Sequence, residues 1–131
     1  MVPGGFCKEP KVVRISPDVG RNRVIIQLSG APSSLDAAVT ERALRDALSR
    51  LRPPVDVLSD IRELETMEAL LGEDFKRMGG ILHSFGVRKV VRVVGRSVHA
   101  AVQMERIARQ LNRHTAHLAF SMDEAEQVFG K

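Results

Sequence analysis

The chain has 131 residues, of which 44% are hydrophobic and 27% charged. That is enough for one domain with a real core. No apolar run reaches the roughly 18 residues of a membrane span, and the lone Cys7 cannot form an internal disulfide, which fits a reducing cytoplasm. The net charge of +4 and pI of about 9.8 invite a nucleic-acid reading. Against it, the 20 Lys and Arg are spread through every segment beside 16 acids, and Tyr and Trp are absent. A stacking platform for single strands is therefore not expected.

Residues 1–10 hold two Pro and two Gly and read as a loose tail with no secretory leader. Residues 11–131 read as a single domain. Cys7, in that tail, is not expected to be catalytic, since a reactive thiol needs shaped electropositive surroundings. Lys11 to Ser16 is expected to be a strand, Pro17 to Asn22 a turn, and Arg23 to Leu28 a second strand, paired antiparallel with the first. After Gly30 and Pro32, Ser33 offers an N-cap with Asp36 three residues on. Leu35, Val39, Ala43, Leu44, Ala47, Leu48 and Leu51 recur at helical spacing until Pro53-Pro54 stops the helix.

The central stretch is Val55 to Phe85. A β-branched strand, Val55 to Leu58, is expected to turn at Ser59-Asp60. Met67, Leu70, Leu71, Phe75, Met78, Leu82 and Phe85 then fall on one helical face. Gly79-Gly80 inside that helix costs about 2 kcal/mol relative to alanine, which points to close packing or a kink. Gly86 is placed to end the helix in a left-handed conformation. Lys89 to Val94 is a fourth strand. Ser97 caps a helix running to about Arg113, with His99, Gln103, Arg106, Gln110 and Arg113 facing out. Ala116 to Phe120 is a fifth strand, and Ser121 with Glu124 forms a capping box for a last helix ending at Gly130.

The order β-β-α-β-α-β-α-β-α predicts an α/β fold with a mostly parallel five-stranded sheet and helices mainly on one face. Alternation in the strands predicts a second, mixed face carrying Gln27, Asp56, Arg92 and His117, wet or covered by a partner.

Val55-Asp56-Val57-Leu58-Ser59-Asp60, Val87 to Gly95 and Ala119 to Ala125, on that element order, resemble the anti-sigma-factor antagonist (STAS) fold, and within it the SpoIIAA-like branch. The resemblance covers residues 11–130. It implies a bacterial, non-enzymatic regulatory domain that works by protein–protein interaction. Some members are switched by phosphorylation at the start of the helix after the central strand. Here that region reads Leu64-Glu65-Thr66-Met67-Glu68 rather than an Asp-Ser-Ser-Gly type motif, and Thr66 is its only hydroxyl. Glu63, Glu65 and Glu68 would repel a phosphate on it. SpoIIAA-like proteins are also compared with lipid-binding CRAL-TRIO domains, so the resemblance implies an apolar ligand as an alternative.

Two sets of candidate residues follow. Thr66, with Glu65, Asp60 and Ser59, is a candidate phospho-acceptor or partner contact; the plainer account is an N-cap. Gly95, Arg96 and Ser97 form a candidate anion cradle, though a capped turn also explains them and no nucleotide fingerprint is present. His83, His99, His114 and His117 lack the converging ligands of a zinc site, and no Gly-x-Ser-x-Gly elbow marks a nucleophile. Glu63, Glu65, Glu68, Glu73 and Asp74 read as a solvated face. The sequence thus predicts no metal, no cofactor and no enzyme, and a protein partner or second copy of the chain. A carrier of a small apolar ligand, with a pocket near Phe75, Met78, Phe85 and Gly79-Gly80, is the alternative. An enzyme at the Gly95 loop and a nucleic-acid binder stand behind these.

Overall fold

The computed structural model describes residues 13–32, 34–111, 113 and 115–130. Expectations for the tail, Cys7, the Ser33 cap and His114 lie outside the described residues. The elements are β1 (Val13–Asp18), β2 (Arg23–Gly30), α1 (Ala37–Leu48), β3 (Val55–Leu64), α2 (Ala69–Phe85), β4 (Val87–Val94), α3 (Val98–Gln110), β5 (His117–Ala119) and α4 (Met122–Phe129), with a 3-10 turn at Val19–Arg21.

The strands lie in the order β1-β2-β3-β4-β5. The sheet is mixed: β1 runs antiparallel to β2, and β2 through β5 are parallel. Parallel neighbours in sequence order, joined by right-handed crossovers, put every connecting helix on the same side. Accordingly α1, α2 and α3 share one face. Their Leu44, Leu71 and Met104 pack with Val24, Val57, Ile61 and Val90 in the larger core. α4 follows the last strand and folds back over the other face, where Ala125 and Phe129 meet Leu58, Val91 and Val93.

The ends of the helices follow local chemistry. α1 begins one residue after Asp36, whose carboxylate accepts the Val39 N–H at 3.1 Å. Ser97 and Ser121 cap α3 and α4 by accepting from Ala100 and Glu124. Glu124 reaches back one residue past the Ser121 cap and accepts the Phe120 N–H at 3.0 Å. Gly86 ends α2 at φ 111°, open to glycine without strain, and its N–H donates to Leu82 at 2.9 Å.

Three expectations about these elements are corrected. Ser59-Asp60 is not a turn; β3 continues to Leu64, held by β2 on one side and β4 on the other. Val39 and Leu70 sit at helical spacing yet are exposed, while the adjacent Thr40 and Leu71 hold the buried positions of those first turns. Asp74 is not solvated. It is buried and accepts the Leu35 N–H at 2.7 Å, tying α2 to the entry of α1.

Candidate functional site

Two places hold the residues that the sequence singles out. The first is the loop edge at the C-terminal ends of β3 and β4. Glu65 and Thr66 lie exposed between β3 and α2. Thr66 does not cap α2; the cap position is Glu68, which makes no side-chain capping bond. The structure does bring Glu65 to the Gly95 loop, where its carboxylate meets Arg96 Nη1 at 2.7 Å. The loop is already engaged. The Arg96 N–H donates to the Arg62 carbonyl at 3.0 Å, and Ser97 Oγ is occupied by the Ala100 N–H. A Cβ on Gly95 would lie 2.4 Å from that same carbonyl oxygen, so only glycine fits. The bonds of this edge are those of a strand-to-strand staple.

Ser59 and Asp60 belong elsewhere. Successive residues of a strand point to opposite faces, and these two part company accordingly. Asp60 faces the α4 side, gripped by Arg62 at 2.9 Å and by Gln27 at 3.3 Å. Burial alone pushes its carboxyl up, but the hydrogen bonds and charge of Arg62, with Gln27, outweigh burial and hold it below the usual carboxylate range.

Ser59 faces the second place, a cavity between the sheet, α2 and α3. Its cavity volume is about 80 Å³; the empty space around it reaches about 730 Å³ only when open solvent at its mouth is counted. One water needs only ~10–15 Å³, so the cavity has room for a small occupant, though it is below the ~300–1,000 Å³ of pockets that take drug-sized ligands. Small residues make the gap. Ala108 of α3 and Gly79 of α2 both line it, and a methyl on Gly79 would meet no atom within 4 Å. The walls are otherwise apolar, with Phe75, Met78, Val90, Met104 and Ile107 among them.

The polar part of the lining is almost wholly basic. Arg92, expected on the mixed face with Gln27, Asp56 and His117, is instead on the helix-covered face. Its register partner is Ser59. The buried guanidinium donates to Ser59 Oγ at 3.2 Å and to Glu105, and lies 5.4 Å from the Phe75 ring centroid. Burial pushes it below its ordinary value, against the opposing charge and hydrogen bond of Glu105. An arginine titrates so high that it stays charged. Glu105 also accepts the Ala116 N–H at 2.8 Å, so the pair joins β4, α3 and the approach to β5. Arg113, expected to face out, lines the cavity too. Its guanidinium passes over Gly80, where an added Cβ would touch Nη1 at 3.4 Å.

Glu105 was the residue hardest to anticipate, although a signal exists. It sits four residues after Ala101 and three before Ala108, on the buried face of α3. An acid there needs a buried cation, and Arg92 is the one charge inside the run Val90-Val91-Arg92-Val93-Val94. Among the described residues no group of three or more His, Cys, Asp or Glu could hold a metal ion, and no helix is long and apolar enough to cross a membrane. The chain matches no family model and no characterised protein, so the STAS-like resemblance stands on pattern and element order alone.

Proposed function

We propose that this is a binding domain that takes a small, largely apolar ligand between α2, α3 and the sheet. The observation that carries the reading is the apolar cavity itself, left open where Gly79 and Ala108 line it. A void of this size forfeits packing energy, and an occupant would restore it. Methyl NMR of the purified protein titrated with octanol and octanoate tests the reading. Saturable binding of at least one, lost in Gly79→Leu, is the expected result. Titrations that leave the spectrum unchanged would overturn it.

A second reading, regulation through a protein partner as the STAS-like resemblance implies, draws on a different observation. Leu70 at the start of α2 is 63% exposed and Val98 at the start of α3 is 54% exposed, on the two helices that flank the Glu65–Arg96 staple. This edge would be the contact, with exposed Thr66 within it. Pull-down from native extract with wild type and with Leu70→Asp/Val98→Asp tests it. A specific partner lost in the double variant is expected, and a partner retained by it would rule out this edge.

A further inference from the structure

Resting on the cavity reading, we propose that the ligand is an amphiphilic anion, an aliphatic chain ending in a carboxylate, and that Arg113 receives the charged end. Among the described residues, every ionisable side chain lining the cavity is a base, namely Lys76, His83, Arg92 and Arg113, and no acid lines it. A cation in such a wall attracts an anion strongly, because low-dielectric surroundings do not screen it.

Two of the four bases are already paired with acids. Arg92 is bound by Glu105, and Lys76 reaches Glu73 at 2.8 Å on the outer side of α2. Arg113 differs. Its Nη1 is buried and has no hydrogen-bond partner among the described residues. Leaving such a donor unpaired is costly, more so when it carries charge, and a carboxylate is the partner that a guanidinium fork fits best. Gly80 matters for the same reason: with no side chain there, the guanidinium lies against the helix backbone at the cavity wall. A neutral chain would fill the apolar part equally well and leave Nη1 unpaired. The inference is therefore one of preference: acid over isosteric alcohol.

The test is a comparison of octanoate with octanol, by NMR titration at neutral pH, on wild type, Arg113→Gln and Lys76→Gln. Wild type should bind octanoate at least tenfold more tightly than octanol. Arg113→Gln should lose that preference while octanol affinity changes less than twofold, and Lys76→Gln should keep it. Equal affinities in wild type, or a preference that survives Arg113→Gln, would overturn the assignment and leave the cavity reading standing. Binding of neither compound would remove the cavity reading and this inference with it.

Discussion

On the α4 face of the sheet, charges that leave water meet their opposites. Arg23 reaches Glu126 at 2.7 Å and stacks 3.7 Å from the Phe129 centroid, Arg88 grips Asp56 at 2.7 Å, and Arg62 holds Asp60. Lys89 donates to the last-turn carbonyl of Val128 and so fastens the C-terminal end of α4. The face under α2 and α3 is finished differently. One buried pair, Arg92–Glu105, stands beside an open cavity with an unpaired guanidinium nitrogen at its wall. The difference teaches where to look for function in a domain without a catalytic motif. Pairing is not perfect on the α4 face either, since Arg23 Nε is buried without a hydrogen-bond partner among the described residues. What sets the other face apart is that its unpaired Arg113 nitrogen borders an open cavity, and packing and pairing left incomplete in the same place are what a ligand can complete.

The comparison can be broken most sharply at the buried pair. Removing Glu105 alone strands a charge, so Glu105→Leu should lower stability by about 3–5 kcal/mol in urea unfolding. Arg92→Met with Glu105→Leu should recover at least half of that, because the charge and its desolvation leave together. Two single variants costing under about 1 kcal/mol each would show the pair to be less buried than described.

Gly79→Ala asks the opposite question. The methyl enters open space and the helix gains propensity, so thermal stability should rise by about 1 kcal/mol while octanoate affinity falls. A loss of stability would mean that the space is not there. On the α4 face the pairs have one partner near solvent: Arg88 is 48% exposed. Arg88→Met should therefore cost no more than about 1 kcal/mol, well short of Glu105→Leu.

The smallest effect is in pH. Asp60 titrates lower in the fold than in the unfolded chain, where its value is near 3.9. Its contribution is therefore present above that value and is lost as pH falls through the lower, folded one. Asp60→Asn should flatten the loss of stability below about pH 4 and leave the slope above pH 6 unchanged. An unaltered acid limb would contradict the Arg62 grip.

Element order and most of the core were legible because each element carries its own signal: Leu44 and Leu48 at helical spacing, β-branched Val24 and Val57 in strands, Ser121 with Glu124 at a helix start. Helix ends and strand lengths were not. Asp60 looks like a turn residue until Arg62 and Gln27 are in place to satisfy it. The cavity was half legible. Gly79, Met78 and Phe75 were marked as its lining, but Gly80 faces Arg113 and Phe85 is not part of it. The sequence puts Arg92 and Arg113 on the wrong side, because a charged residue in a single sequence is assigned to water by default. What overrides that default is a partner from another element, such as Glu105, or a space between helices, and neither is written locally.

The most direct measurement is the location of bound octanoate by methyl chemical shifts in the wild-type protein. Ligand seated in the cavity predicts saturable shifts concentrated at Met78, Met104 and Ile107, with the exposed Leu70 and Val98 methyls unmoved. Shifts confined to Leu70 and Val98, or spread without saturation over the surface, would contradict the cavity as the binding site.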